Sequence, residues 1–205
     1  MDLKERFAQN CSPFTQDHNL IEKLWQEIEK KYAEKSRHYH NLEHLGHMFR
    51  ELDAVKEDIS NFTNISFSVF YHDIVYDASS KKNEEKSADL AQSRLQLLSL
   101  NIDDISEIHQ QILATKSHQK SEKEDTNLLL DADLSVLGKD AATYTDYTKK
   151  IRKEYAVYPD FLYNPGRKKI LQHFLQWESI FKTEVFKAKY ETKARENIVS
   201  EIERL

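Results

Sequence analysis

Imidazole and carboxylate side chains recur along this sequence in three short segments. His40 and His44 lie in the first segment, the adjacent pair His72-Asp73 forms the second, and Asp133 lies in the third. Imidazole nitrogens and carboxylate oxygens from separate segments can bind one divalent cation and leave coordination positions open to water. Such a cation lowers the pKa of water, which is how metal-dependent hydrolases make a nucleophile near neutral pH. We therefore expect a divalent metal site with hydrolytic chemistry.

The carboxylates of the second and third segments interrupt runs that are otherwise apolar. An ionised Asp is almost never fully buried unless a partner charge or a metal ion compensates it. Asp131 and Asp133 are two positions apart, so on a helix they point in different directions and at least one should turn inward. One cation bound by His44, His72, Asp73 and that inward carboxylate would compensate all the buried charges together.

Each of these residues alone also has an ordinary structural explanation. Histidines near a helix start, His47 among them, are often surface residues, and adjacent His and Asp occur by chance in many chains. The set as a whole is stronger evidence for a metal site than any one residue, because otherwise a separate structural explanation would have to hold for each residue at once.

The elements that must position these side chains are predicted to be helices. The 205 residues include only 3 Gly and 3 Pro, against average usage of about 7% and 5%, so the turns that many short strands require are scarce. Apolar residues repeat at helical spacing, and 65–76, which begins like a strand, is predicted to be a helix as well. We predict an all-α fold with helices at 20–32, 42–55, 65–76, 83–100, 103–112, 127–137, 144–155, from 164 onward, and 185–205.

Several helix ends are predicted from capping residues. Asp17 and Asn83 are expected to be N-caps, Asp103 or Asp104 to start a helix, and Gly138 to be a C-cap. Asn164-Pro165 is expected to cap and open another helix. We expect one domain over 1–205, with its core at about 20–185 and a C-terminal helix at about 183–205 that packs on its own domain.

Composition narrows the protein class. A net charge of -5 gives no general field for nucleic acid, and no apolar run approaches the roughly 18 residues of a membrane span. The N-terminus lacks the pattern of a secretory signal, and the single cysteine, Cys11, cannot form an intramolecular disulfide. We expect a cytoplasmic protein with no membrane partner and no general nucleic-acid binding. The oligomeric state stays open.

The motifs resemble those of the HD-domain metal-dependent phosphohydrolases, and more narrowly their bacterial branch of predicted enzymes. That family has a His, then an adjacent His-Asp, then a distant Asp on an all-helical scaffold, and the resemblance spans about 20–185. It is carried by residues 39–44, 71–76, 83–85, 130–138 and 151–155. Tyr-His-Asn at 39–41 with a His at 44, and Ala-Asp-Leu-Ser at 132–135, also resemble motifs of cyclic-nucleotide phosphodiesterases in the same superfamily.

The resemblance implies roles residue by residue. It implies that His44, His72, Asp73 and Asp133 bind the metal, with Asp131 in reserve, and that His40 protonates the leaving alkoxide. Asp73 could also orient or deprotonate the attacking water. Mixed nitrogen and oxygen ligands suit Mn, Fe, Co, Ni or Zn better than Mg. The remaining phosphodiesterase motifs are missing, so a cyclic nucleotide is not implied. The substrate we expect is a small phosphoester, a nucleotide being one option.

Other polar residues are candidates for a second metal or for the substrate. His109 and His118 could bind a second ion or a phosphate, although His109 could equally be a surface residue. Arg152, Lys116 and Arg167 are candidate phosphate-binding cations, and Glu84 and Glu85 candidate water-positioning groups, the last two also being ordinary helix-start charges. Two alternatives to an enzyme remain: a catalytically silent metal- or nucleotide-binding module, and a helical interaction protein.

Overall fold

The structure, a computed structural model, describes residues 2–205, and these contain ten α-helices and no strand. The all-α prediction is therefore confirmed. Two short 3₁₀ turns lie at Lys56–Asp58 and Ser135–Gly138. The helices are α1 (Leu3–Cys11), α2 (His18–Tyr32), α3 (Leu42–Ala54), α4 (Phe62–Tyr71), α5 (Asn83–Leu97), α6 (Ile102–Ala114), α7 (Glu124–Leu134), α8 (Ala141–Glu154), α9 (Asp160–Gln176) and α10 (Glu184–Arg204).

Helices α4 and α7 form the centre of the fold. All residues from 64 to 71 in α4, and from 125 to 132 in α7, are buried. A helix that is apolar around its whole circumference must be covered on every side, and α4 packs against α1, α3, α5, α6 and α7. The strand-like alternation at 65–69 reflects this all-round burial, and the prediction of a helix is confirmed for 65–71. It is wrong for 72–76, because α4 ends at Tyr71 and His72-Asp73 begins the turn that follows.

Helix starts follow local capping chemistry, with two corrections to the prediction. Asp17 caps α2 as predicted, accepting a hydrogen bond from the Leu20 amide at 3.0 Å. Helix α6 is capped by Asn101, not by Asp103 or Asp104, because the Asn101 side chain accepts from the Asp104 amide at 2.8 Å. Asn83 is not an N-cap: it lies inside α5, and its amide accepts from Asp77 N and donates to Asp77 O, which closes the preceding loop.

Gly138 has a different role from the one predicted. Its φ is not positive, so it is not a left-handed C-cap. A Cβ atom there would lie 2.5 Å from Cβ and 2.8 Å from the backbone oxygen of Tyr190 in α10. Glycine therefore allows the 3₁₀ turn Ser135–Gly138 to approach the α10 backbone, and the polypeptide after α7 packs closely against α10.

The prediction that Asn164-Pro165 opens a helix is wrong. Helix α9 begins at Asp160, directly after Pro159, and Pro165 lies in its interior. Proline has no amide hydrogen, so the Phe161 carbonyl one turn earlier loses its intrahelical donor.

The terminal helices both belong to the packed core. Phe7 and Cys11 of α1 are fully buried, so the core begins before residue 20, where the sequence placed it. Phe186, Tyr190 and Ile198 of α10 are buried against the rest of the chain, as predicted for packing on its own domain. Within residues 2–205, none of the helices combines the length and apolar character needed to cross a bilayer.

Candidate metal centre and adjoining cavity

Three helix ends bring the candidate ligands together. Asn41 caps α3 by accepting from the Glu43 and His44 amides, which places His44 in the first turn of that helix. His72 is the C-cap of α4, and Asp133 lies in the last turn of α7. The C-terminal end of a helix carries partial negative charge, so two of the three ends favour a cation between them.

Ligand atoms of His44, His72 and Asp133 all lie within 4.8 Å of one another. Nε2 of His44 is 3.2 Å from Nε2 of His72 and 3.2 Å from Oδ1 of Asp133, and the distance from His72 Nε2 to that oxygen is 3.9 Å. Two ligands that are each about 2.0–2.1 Å from one zinc ion lie roughly 3.3 Å apart in tetrahedral geometry. The spacing of this His/His/Asp group therefore suits a single metal ion.

Hydrogen bonding fixes the orientation of the His72 ring. Its Nδ1 lies 2.9 Å from the Val69 carbonyl oxygen, which can only accept, so Nδ1 is the protonated nitrogen. Nε2 of neutral His72 therefore directs its lone pair toward His44 and Asp133. A backbone carbonyl that holds the second nitrogen of a histidine in this way is the usual support of a metal-ligating imidazole.

Asp73 and His118 lie beside the His/His/Asp group. Oδ2 of Asp73 is 3.1 Å from His72 Nε2, on the side facing His40, whose Nε2 is 4.0 Å from the same oxygen. His118 lies 2.8 Å from Oδ2 of Asp133, through its Nε2. The backbone of His118 has φ of 50°, in the left-handed region that residues other than glycine seldom adopt, so the loop holds this imidazole in a strained conformation.

A buried carboxylate, Glu154 at the end of α8, orients His40. One oxygen accepts from the Tyr39 amide at 2.7 Å and the His40 amide at 3.0 Å. The other lies 2.6 Å from Nδ1 of His40 and accepts from the Tyr76 hydroxyl at 3.0 Å. Because His40 precedes α3 instead of lying on it, this carboxylate sets the direction of its side chain.

The 37–41 loop is fastened to the His-Asp segment by Arg37, which is buried. Its guanidinium donates to the carbonyl oxygens of Asp73 at 2.5 Å and Ile74 at 2.9 Å, and its Nε to Glu34 at 3.2 Å. The Arg37 side chain therefore links the loop that carries His40 to the backbone at Asp73 and Ile74.

The electrostatics of the site favour positive charge beside Asp73 and Asp133. Burial opposes the charged form of His72, but the Asp73 and Asp133 carboxylates outweigh it and raise the pKa of His72 to about 9. Burial also opposes ionisation of the two carboxyls, yet the neighbouring histidines hold both of their pKa values below the ordinary range. Burial lowers the pKa of His44, which keeps that ring neutral and able to ligate.

The His40 and Glu154 pair is charged. Burial works against protonation of His40, but Asp73 and Glu154 raise its pKa above the ordinary value. Burial works against ionisation of Glu154, but the hydrogen bond and charge of His40 lower its pKa to about 2. The surroundings of His40 therefore favour its protonated, proton-donating form.

A cavity of about 480 Å³ opens beside the metal centre, between α7, α8 and α9. His40, His118 and Asp133 form one end of it. Most of the remaining wall is aromatic or aliphatic, contributed by Tyr39, Tyr147, Tyr155, Tyr158, Tyr163, Leu134, Val136, Leu137, Ile151, Leu162, Ile170 and Phe174. A ligand in this cavity can therefore reach the histidine end with a polar group and leave an apolar group among the tyrosines.

Several predicted site residues lie elsewhere. Asp131, the reserve ligand, is buried and accepts from the Lys182 and Thr183 amides, both at 2.8 Å, so it anchors the two residues that precede α10. His109 pairs with Asp89 at 3.4 Å, apart from the His/His/Asp group.

The predicted phosphate-binding cations all have acidic partners. Lys116 pairs with Glu85, and Arg152 with Asp160 at 2.7 Å; neither cation lines the cavity. Glu84 and Glu85 lie in the first turn of α5, also outside the cavity wall. Arg167 does line the cavity, but its guanidinium is held by both carboxylate oxygens of Glu201, at 2.8 and 3.1 Å.

Glu154, Arg37 and the tyrosine wall were not predicted. Glu154 lies inside the segment 151–155 that carries the family resemblance, but a Glu among lysines and arginines looks like a solvent-exposed residue. No protein-family model, curated protein or solved structure matches this chain.

Proposed function

We propose that the protein is a metal-dependent phosphohydrolase that cleaves a small phosphoester. The observation that carries the proposal is the His44, His72 and Asp133 group, whose ligand atoms lie within 4.8 Å of one another beside a cavity large enough for a small molecule. The family resemblance of the same residues to HD-domain phosphohydrolases supports it.

The donor set fits a borderline transition-metal ion. Two imidazole nitrogens and a carboxylate oxygen suit Mn, Fe, Co, Ni or Zn, and Asp73 lies close enough to complete or adjust the coordination. A divalent ion bound here would lower the pKa of water and neutralise charge on a phosphoryl group.

The protein's own residues would handle the proton. His40, held by Glu154 in surroundings that favour its protonated form, would donate a proton to the leaving oxygen. Asp73, between His40 and His72, would orient the attacking water by accepting its hydrogen bond. His118 would hold Asp133 in place through its 2.8 Å contact.

Metal content tests the proposal before any substrate is chosen. Protein purified without chelator should contain close to one equivalent of a divalent metal, and His72→Ala should lose it. His109→Ala is the matched control, because His109 pairs with Asp89 outside the group. Metal-loaded protein should then hydrolyse members of a phosphomonoester panel, and His40→Ala should reduce turnover while metal content is retained. Equal metal content in both His→Ala variants, or a panel that yields no product, would contradict the proposal.

A further inference from the structure

Gly166 stands in the interior of α9, where glycine is unfavourable by about 1 kcal/mol relative to alanine. Its backbone is not left-handed, and a Cβ atom there would meet no heavy atom of the described residues within 4 Å. Gly138, in contrast, is required by the approach of Tyr190. Neither backbone conformation nor packing within the described chain explains Gly166.

The open space beside Gly166 belongs to the cavity. Gly166 lines it, and so do Leu162 and Ile170, which are still 55% and 52% exposed. Pro165 precedes the glycine and leaves the Phe161 carbonyl without its intrahelical donor. At Gly166, therefore, α9 presents backbone without a side chain to the cavity, flanked by exposed aliphatic side chains, and a ligand can approach the main chain closely there.

Tyrosine rings contribute much of the cavity wall, from α8, from α9 and from the loop before α3. Tyr39 and Tyr147 lie in edge-to-face contact, with ring centroids 4.8 Å apart, and Tyr155 and Tyr163 lie 5.9 Å apart. Rings arranged in this way offer faces and edges to a further flat ring, a contact worth about 0.5–1.5 kcal/mol beyond burial.

The cavity has little to offer a second anionic group. Arg167 is the one Lys or Arg among its lining residues, and Glu201 already neutralises that side chain. An additional phosphate or carboxylate placed among the tyrosines could accept hydrogen bonds from their hydroxyls but would be desolvated without a free cation to neutralise its charge.

From these observations we infer that the substrate carries an uncharged aromatic group, which lies among the tyrosines and against the α9 backbone at Gly166. Its single phosphate group then reaches His40 and the metal centre. The position of the phosphate group rests on the proposed function, whereas the position of the aromatic ring rests on the residues of the cavity wall.

Binding of phosphonates, which are not hydrolysed, tests the ring separately from catalysis. With zinc-loaded protein in a calorimeter, 1-naphthylmethylphosphonate should bind at least about tenfold more tightly than methylphosphonate. A carboxylate added to the far side of the naphthyl ring should remove most of that advantage. Equal affinity for the naphthyl and methyl compounds, or no loss on adding the carboxylate, would overturn the inference.

Gly166→Leu tests the position of the ring. Leucine is a good helix former, and its side chain would begin in open space at the cavity wall. We expect about tenfold weaker binding of the naphthyl compound, with methylphosphonate binding and metal content unchanged. Lys169→Leu is the matched control, since it adds the same side chain to an exposed position of α9 outside the cavity wall. Equal naphthyl affinity in the two variants would refute the placement.

Turnover separates this inference from the proposed function. Selective naphthyl binding that Gly166→Leu weakens, without hydrolysis of 1-naphthyl phosphate, would uphold the ring site and defeat the phosphohydrolase. Hydrolysis of 1-naphthyl phosphate and glycerol 3-phosphate at similar kcat/KM would uphold the phosphohydrolase and defeat the ring site.

Discussion

Replacing Glu154 by Gln should destabilise the protein and change its response to pH. The Glu154 side chain is fully buried and accepts from two backbone amides, from Nδ1 of His40 and from the Tyr76 hydroxyl. Glutamine keeps the shape and one acceptor oxygen but puts an NH₂ group toward His40 and Tyr76. The variant therefore resembles the neutral, protonated form of Glu154 and lacks the negative charge of the carboxylate.

The magnitude follows from the pKa of Glu154, which is lowered from 4.5 to about 2, the burial penalty being outweighed by His40. At 1.36 kcal/mol per pKa unit, the charged form stabilises the fold by about 3 kcal/mol relative to the neutral form. The raised pKa of His40 describes the same ion pair from its other end, so the two shifts are not added.

The sign of the pH dependence is set by both partners. A lowered carboxyl pKa contributes stability that is present above 4.5 and lost as the pH falls toward 2. A raised histidine pKa contributes stability that is present below the unfolded value of about 6.5 and lost as the pH rises through the folded value. The difference between wild type and Glu154→Gln should therefore be largest between about pH 4.5 and 6.5, and should fall to about 2 kcal/mol near pH 3.5.

Urea unfolding of chelator-treated wild type and variant, at a series of pH values, measures this difference directly. Taking the difference cancels the titration of Asp73 and Asp133, which both proteins share. Metal content after reconstitution should be equal in the two proteins, because Glu154 contacts none of His44, His72 and Asp133. A stability difference below about 1 kcal/mol, or one that is independent of pH, would refute the assignment of a buried His40–Glu154 ion pair.

Four further outcomes are expected. Asp131→Asn should lower the free energy of unfolding by about 1–3 kcal/mol, because its NH₂ group would face a backbone amide of Lys182 or Thr183, and metal analysis should find the ion retained. In urea unfolding, Gly138→Ala should destabilise by about 2 kcal/mol or more through collision with Tyr190, whereas Gly166→Ala should stabilise by up to about 1 kcal/mol. Metal affinity, measured by competition with a chromophoric chelator, should rise with pH until about 9, because His72 must release the proton on Nε2 before it can ligate.

The helical fold was predictable because its signals are local. Scarce glycine and proline, apolar spacing and the Asp17 cap all act within a few residues, and the structure agrees with them. The error at Pro165 arose because proline is favoured in the first turn of a helix, and the sequence was interpreted as such a start. In the structure Pro165 lies inside α9 at an exposed position, where solvent can satisfy the carbonyl that loses its donor.

The ligand group was partly predictable, because burial of a charge is a strong constraint even without coordinates. Asp131 and Asp133 both interrupt an apolar helix, so both needed partners, but sequence alone could not decide which partner was a set of histidines. The structure assigns Asp133 to His44 and His118 and leaves Asp131 to the amides of the two residues that precede α10. That choice depends on where α10 returns to the core, 51 residues later along the chain at Lys182.

Glu154 and Gly166 could not be predicted, for opposite reasons. Glu154 lies 114 residues from His40 along the chain. Its role depends on a single long-range contact, and such a contact produces no periodic pattern in the sequence. No contact within the described chain explains Gly166, so its role could be inferred only once the open space around it was known. Glu154 shows how His40 is held at the cavity, and Gly166 shows where the cavity wall leaves room for a ligand. Under the two proposals, a substrate needs a proton-accepting group near His40 and a flat group near α9. Because both are required together, the proposed site is specific enough to be tested.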